Sequence, residues 1–160
     1  GIEANVNADG EVVTISEEVM AARDLVIAAP HSGLGSEADQ TERLIRAIEH
    51  PHVDVLGHPS GRLINRRPAM EFDPDKLGDA ARAHDVALEV NSNPNRLDLW
   101  GSAVKAGIDA GAVITINTDA HSPEEYPFIR YGVHTARRGW AEAADVLNTW
   151  DVDDIRDFLQ

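Results

Sequence analysis

A chain of 160 residues is long enough to bury one core and too short for two well-packed ones, so we expect a single domain over residues 1–160. Twelve arginines and two lysines stand against 28 acidic residues, and the net charge of −14 disfavours general binding to phosphate backbones. The absence of cysteine excludes disulfides and thiolate metal sites, so any metal ion must be held by imidazole and carboxylate groups.

The acidic surface leaves two interpretations open, an ordinary soluble acidic domain or a halophilic protein from a salt-rich cytoplasm. No apolar run approaches the ~20 residues that cross a bilayer. The start, Gly1-Ile2-Glu3, has neither the basic nor the apolar region of a signal peptide. We therefore expect a cytoplasmic protein with no membrane partner.

Five segments predict strands. A weak one is expected at residues 2–6, and four runs rich in Val and Ile follow at residues 25–29, 53–56, 86–90 and 113–116. These four runs alternate little between apolar and polar residues, which is typical of parallel strands covered on both faces.

The intervening segments predict helices. Residues 41–48 have one apolar side, and Trp100, Val104 and Ile108 recur every four residues. Asp73-Pro74 and Ser122-Pro123 each place a capping side chain before a proline that suits the first turn of a helix.

The end of the chain is expected to be wholly helical after Tyr131. An apolar stripe behind the cap candidate Asp151 predicts a terminal helix packed on the outside; it consists of Val152, Ile155, Phe158 and Leu159. The alternation of strands and helices predicts a parallel α/β sheet with right-handed crossovers. In such folds ligands bind beyond the carboxyl ends of the strands.

Three histidines and an aspartate stand where predicted strands end. His31 and His58 follow the first two strong strands, and Asp119 and His121 follow the last. Each could be a hydrogen-bonded structural residue, but together they predict a site for Zn²⁺ or Mn²⁺, since such ions select imidazole and carboxylate ligands. Glu3 is either another ligand or a solvated carboxylate.

The other histidines are not assigned to metal. His84 shares an apolar helix face with Leu77 and Ala81, which predicts a partly buried structural residue. His50 and His52 are expected in a loop, and His134 lies in sequence near two arginines.

An arginine-rich segment, residues 61–68, directly follows His58. It is either a solvated loop or a phosphate-binding loop that uses Arg62, Arg66 and Arg67, since guanidinium groups bind oxyanions with two parallel hydrogen bonds. Arg96, in the next loop at the same edge, is a further candidate.

Several phrases resemble the polymerase and histidinol phosphatase (PHP) domain, and in particular the version attached to bacterial and archaeal family X DNA polymerases. They are GIEANV, PHSG, VDVLGHPSGRLINRRP, LEVNSNPNRLDLW, INTDAHS and ARRGWAEAADVLNTW. The resemblance implies a distorted seven-stranded, TIM-like β/α barrel with up to three divalent ions, Zn²⁺ or Mn²⁺ and also Fe or Mg²⁺, in the complete domain. It implies metal roles for Glu3, His31, His58, Asp119 and His121, with Asp119 and His121 catalytic through the bound metal.

The resemblance implies hydrolysis of phosphoesters at DNA ends or gaps: 3′-5′ exonuclease, 3′-phosphatase or abasic-site processing within a DNA repair polymerase. Two alternatives stay open: a stand-alone phosphatase for small monoesters, and an inactive structural or partner-binding module. Four of the nine ligands expected for the family would precede Glu3, so the chain resembles the carboxyl-terminal part of the domain. A barrel usually takes ~250 residues. We therefore expect an incomplete barrel with an open sheet edge, and two alternatives for that edge stay open: strands supplied from elsewhere, or self-association.

Overall fold

The computed structural model describes residues 1–159 and has one six-stranded sheet. The strands are β1 (Ile2–Val6), β2 (Val12–Val13), β3 (Val26–Pro30), β4 (Val55–Leu56), β5 (Ala87–Asn91) and β6 (Ile114–Asn117). Their order in the sheet is β2-β1-β3-β4-β5-β6, with β2 antiparallel to β1 and all other pairs parallel. This open parallel sheet confirms the predicted α/β class and the incomplete barrel.

Six α-helices connect or flank the strands: α1 (Glu17–Ala21), α2 (Thr41–Ile48), α3 (Pro74–Ala83), α4 (Gly101–Ala110), α5 (Ile129–Arg138) and α6 (Val152–Phe158). The Asp73 side chain caps α3 as predicted, since its Oδ1 accepts from the amides of Asp75 at 3.1 Å and Lys76 at 3.3 Å. Gly111, in the left-handed conformation, ends α4. Among the described residues, no helix is both long enough and apolar enough to cross a membrane.

The two faces of the sheet have different cores. Helices α2 to α5 cover one face, where Leu44, Leu77 and Val104 pack against alternate strand residues such as Leu56 and Leu88. The other face carries a smaller cluster that includes residues of the terminal helix: Val55, Ala87, Leu147, Trp150, Ile155, Phe158 and Leu159. The terminal apolar stripe therefore packs on the sheet, except that Val152 is 59% exposed.

Three sequence-based predictions are wrong. His84 ends α3 as an exposed residue, because the helix stops there and Asp85 takes a positive φ of 52°. Ser122-Pro123 begins a 3-10 helix, Pro123–Phe128, because a second proline at Pro127 has no amide to donate to an α-helical bond.

The third error concerns the chain after Tyr131, which is not wholly helical. Helix α5 ends at Arg138, and two short 3-10 turns, Ala143–Asp145 and Leu147–Thr149, precede α6. Asp151 stands at the N-terminal position of α6, but within residues 1–159 its side chain makes no capping hydrogen bond.

The same segment partly covers the edge of β6. Val146 forms a parallel bridge with Ile114. The Asn148 side-chain amide binds both backbone groups of Ile116: its Oδ1 accepts from the amide at 2.7 Å, and its Nδ2 donates to the carbonyl at 3.1 Å. These contacts occupy backbone groups that would otherwise be free to pair with another strand.

Candidate metal centre

Glu3, His31 and His58 form a cluster in which each residue offers one ligand atom within 4.8 Å of the others. Nε2 of His31 lies 3.1 Å from Oε1 of Glu3, and Nε2 of His58 lies 3.7 Å from the same oxygen. The two imidazole rings are edge to face, with centroids 5.0 Å apart. Three neighbouring strands supply the group, since Glu3 lies on β1 and the histidines follow β3 and β4.

The three side chains perturb one another's protonation. A hydrogen bond with His58 lowers the pKa of Glu3 below its usual 4.5. Burial alone would lower the pKa of His58, but the hydrogen bond with Glu3 and the charge of Glu89 outweigh burial and raise the pKa above 6.5. The pKa of His31 shifts in the opposite direction. Burial and the positive charge of His58 lower it, and together they outweigh the raising effect of the Glu3 carboxylate 3.1 Å away.

The donor set fits a borderline divalent cation. Two imidazole nitrogens and a carboxylate oxygen are the ligands that Zn²⁺ and related ions select, and three protein ligands are typical of a catalytic zinc site. His58 is 3% exposed, and in the described part of the chain its buried Nδ1 has no hydrogen-bond partner. A cation bound by Glu3 and His58 would replace the proton that the charged His58 imidazole carries.

Asp119, Glu3 and His58 line one cavity. Its volume is about 460 Å³. Asn91 donates from Nδ2 to Oδ2 of Asp119 at 3.1 Å, and Nε of Arg96 lies 3.7 Å from the same oxygen. His121 is held to Asp119 through its Nδ1, 2.8 Å from the Asp119 carbonyl oxygen, but its side chain is 82% exposed. The structure thus gathers Glu3, His31 and His58 and places Asp119 on the cavity that Glu3 and His58 line, whereas the exposed His121 contacts Asp119 without lining that cavity.

The four candidate arginines have different surroundings. Arg96 faces the centre: it pairs with Asp119, and in the described chain its buried Nη1 has no hydrogen-bond partner. Arg62 donates instead to the backbone carbonyls of Arg96 and Leu97 and lies over the Trp100 ring.

The remaining two arginines belong to the loop itself. Arg67 donates from Nε to the Gly61 carbonyl at 2.9 Å, so it closes the loop on itself. Arg66 is solvent-exposed. The contacts of Arg62 and Arg67 hold the loop in shape, which leaves Arg96 as the arginine with a free donor beside the acidic centre.

A buried polar network behind the centre was missed by the sequence interpretation. Glu89 on β5 accepts hydrogen bonds from the His58 amide at 2.7 Å and from Nδ2 of Asn117 at 3.0 Å. Asn91, two residues later, connects the network to Asp119. The available signal was a pair of polar residues, 89 and 91, alternating within an otherwise apolar buried run, since side chains two apart face the same side of a strand.

Comparison with known proteins identifies similar sequences. The chain is 40% identical over 161 residues to the DNA polymerase/3'-5' exonuclease PolX of Bacillus subtilis, with 100% of this chain and 28% of PolX covered. It is 26% identical over 170 residues to a probable phosphatase of Thermoanaerobacter sp. strain X514, of which it covers 66%. It is 33% identical over 132 residues to the probable phosphatase YcdX of Escherichia coli, with 76% of this chain and 51% of YcdX covered.

No family model matches the chain. The chain spans only 28% to 66% of the length of these three relatives. The similarity to PolX and to probable phosphatases agrees with the resemblance indicated by the motifs, and it runs along the whole chain, which matches the carboxyl-terminal part of PolX.

Proposed function

We propose that the chain is the metal-binding part of a metal-dependent phosphoesterase. The observation that carries the proposal is the convergence of Glu3, His31 and His58, whose ligand atoms lie within 4.8 Å of one another. Glu3 and His58 also line a cavity together with Asp119. A divalent cation held there, Zn²⁺ or Mn²⁺, would supply Lewis-acid polarisation of a phosphoryl group.

Asp119 and Arg96 lie beside this cluster. The Arg96 guanidinium, whose Nε is 3.7 Å from Oδ2 of Asp119, would place a positive charge near a phosphate bound in the cavity. The Arg96–Asp119 ion pair holds the guanidinium in place beside the centre. Arg62 and Arg67 hold the shape of the loop that follows His58, since they donate to backbone carbonyls of Arg96 and Gly61.

The substrate we propose is a DNA end, processed as 3′-5′ exonuclease, 3′-phosphatase or abasic-site activity within a family X DNA polymerase. Similarity to PolX supports a DNA-processing context. Tyr126 adds a structural reason: it lines the cavity yet is 66% exposed, so its ring is available to stack on a base beside the scissile phosphate. The probable phosphatases among the relatives favour the second candidate, hydrolysis of a small phosphate monoester.

The test is hydrolysis with added Mn²⁺ or Zn²⁺, measured on a 3′-phosphorylated oligonucleotide and on p-nitrophenyl phosphate. We expect phosphate release that chelator abolishes and that Glu3→Gln reduces at least 100-fold, while the variant keeps the wild-type circular dichroism spectrum. A fusion of this chain to the preceding part of Bacillus subtilis PolX is assayed alongside the 160-residue chain. Absence of metal-dependent hydrolysis from both proteins would rule out the enzyme and favour a structural or partner-binding module.

Tyr126→Ala distinguishes the two substrates. Because base stacking contributes about 1–3 kcal/mol, kcat/KM for the oligonucleotide should fall about 5- to 160-fold, whereas kcat/KM for p-nitrophenyl phosphate should stay within twofold. Tyr126→Phe, which keeps an aromatic face, is the matched control and should retain oligonucleotide activity. Equal losses on both substrates in the alanine variant would argue against base stacking and for the small-monoester phosphatase.

A further inference from the structure

The buried carboxylate of Glu89 lies at the base of the candidate centre without being one of its clustered ligands. Glu89 is 4% exposed and lines the same cavity as Glu3 and His58. Its Oε2 accepts from the His58 backbone amide at 2.7 Å, and its Oε1 accepts from Nδ2 of Asn117 at 3.0 Å. One side chain thus binds the main chain after β4 and a side chain at the end of β6.

Asn91 extends this network to the other side of the cavity. It is fully buried, and its Nδ2 lies 3.5 Å from Oε2 of Glu89 and 3.1 Å from Oδ2 of Asp119. Its own Oδ1 accepts from the amide of Asn93 at 3.0 Å, which fixes the orientation of the amide group. A continuous set of hydrogen bonds therefore joins His58 and Asp119 through Glu89 and Asn91.

The backbone at both ends of this network needs to be held. His58 has a φ of 27° and Asp119 has a φ of 52°, conformations that residues other than glycine rarely adopt. Such conformations persist where surrounding contacts enforce them, and they cluster at functional sites. The Glu89 carboxylate binds the His58 amide directly, and Asn91 binds the Asp119 side chain.

A buried carboxylate is a costly way to stabilise a strand. Burial of an ionisable group costs free energy unless hydrogen bonds compensate, and burial raises the pKa of Glu89. An apolar residue at position 89 would pack against Ile27 and Gly57 without that cost. The position of the carboxylate, directed at the residues around the cavity, therefore matches a role in the site better than a role in the core.

We propose that Glu89 is a positioning residue that fixes His58, and through Asn91 also Asp119, in the orientation needed to hold a divalent cation. The inference rests on the proposed function, because it assigns a supporting role within the same centre. Outer hydrogen-bond partners of metal ligands commonly contribute 10- to 100-fold to metal affinity.

The first experiment measures cobalt affinity of the 160-residue chain by competition with a chromophoric chelator. Glu89→Gln keeps the size of the side chain but replaces a charged acceptor with one neutral oxygen, so the bond that holds the His58 amide is weakened and the carboxylate's second acceptor, used by Asn117, is removed. We expect a 10- to 100-fold loss of affinity. Asp54→Asn is the matched control, since the half-buried Asp54 accepts from the Val26 amide at 2.6 Å near the start of β3, away from the cavity. The control should bind cobalt within threefold of wild type.

The second experiment needs no metal. Amide hydrogen exchange at His58, followed by NMR with chelator present, should be at least tenfold faster in Glu89→Gln than in wild type or Asp54→Asn. The inference is overturned if His58 exchanges at the wild-type rate, or if Glu89→Gln and Asp54→Asn lose cobalt affinity equally. A wild-type chain that binds no cobalt contradicts the proposed function instead, and the exchange rate at His58 then decides alone whether Glu89 holds that residue.

Discussion

At the scale of single residues, the centre is a set of three ionisable side chains, Glu3, His31 and His58, that shift one another's pKa values. Glu3 with its lowered pKa is ionised near neutrality, and His58 with its raised pKa retains a proton at a higher pH than a free histidine. His31 releases its proton more readily. Metal binding requires neutral imidazoles, so a cation must displace the proton of the charged His58 imidazole, whose pKa is raised.

The pH dependence of stability in the metal-free chain follows from these directions. The contribution of Glu3 is present above its unfolded pKa of 4.5 and is lost as pH falls through its lowered folded value. The contribution of His58 is present below its unfolded pKa of 6.5 and is lost as pH rises through its raised folded value. The pair therefore stabilises the fold most between pH 4.5 and 6.5.

Urea unfolding of wild type and Glu3→Gln in chelator, from pH 4 to 9, checks this window. We expect the difference in unfolding free energy to be about 1 kcal/mol within the window and to vanish at alkaline pH, because Glu3 is partly exposed and the pair is screened. The control variant is Glu17→Gln. It removes a histidine–glutamate pair outside the centre, in which Oε1 of Glu17 lies 3.0 Å from Nε2 of His50. A difference between wild type and Glu3→Gln that grows towards alkaline pH would refute the assignment.

The sequence predicted the residues of the centre from their position at strand ends, and three of them converge. Strand ends are predictable because Val-rich runs have clear limits and parallel strands bring their carboxyl ends together. Glu89 was not predicted to have a role, because a polar residue in an apolar run has no visible partner until the neighbouring strands are placed. The local contacts of Arg62 and Arg67 were hidden for the same reason, since their acceptors are backbone carbonyls.

At the scale of secondary-structure elements, capping residues and apolar periodicity predicted where a helix starts better than where it ends. Helix α2 spans the predicted residues 41–48, and α3 begins at the predicted Asp73-Pro74. The antiparallel strand β2 was missed, although Asp9-Gly10 is a turn signal and Gly10 has a φ of 86°. The helix after Ser122 differs from expectation because Pro127 has no amide that could donate to the Pro123 carbonyl, four residues earlier, as an α-helix requires.

Removal of the α3 cap is the prediction at this scale. Asp73→Ala leaves the amides of Asp75 and Lys76 without their acceptor and should lower the unfolding free energy by about 1 kcal/mol. Asp151→Ala is the matched control, since Asp151 occupies the same position on α6 but within the described chain has no capping hydrogen bond. Urea unfolding at pH 7 measures both variants. Equal losses would show that the side-chain cap contributes nothing specific.

At the scale of the whole molecule, the sheet is open, and segments of the same chain partly cover its two edges. Strand β2 pairs with β1 at one edge, and Val146 and Asn148 bind β6 at the other. Sequence alone predicted an open edge, because about five strand-helix units are too few to close a barrel that usually takes ~250 residues. It could not predict how Asn148 covers β6, since that contact depends on the path of the irregular segment after α5.

The net charge of −14 leads to a prediction about salt. Repulsion among surface carboxylates destabilises a compact acidic chain, and added salt screens it over distances beyond ~10 Å at 0.1 M. We expect the Tm of the metal-free chain to rise by several degrees between 0.1 and 2 M KCl. The control is the Tm in sucrose at the same molar concentrations as the salt, which measures the effect of an uncharged solute. A Tm that stays constant or falls would contradict both the repulsion argument and the halophile interpretation.

The most direct test of the account is the number of divalent ions bound per chain. After dialysis against Zn²⁺ or Mn²⁺ and removal of free ions, elemental analysis should find at least one ion per wild-type chain. His31→Ala, which replaces a partly exposed ligand, should reduce occupancy at least fivefold, whereas His84→Ala, at an exposed histidine outside the cluster, should leave it unchanged. A wild-type chain that binds fewer than 0.2 ions, or equal occupancy in all three proteins, would contradict the central claim, since a site formed by Glu3, His31 and His58 requires all three ligands.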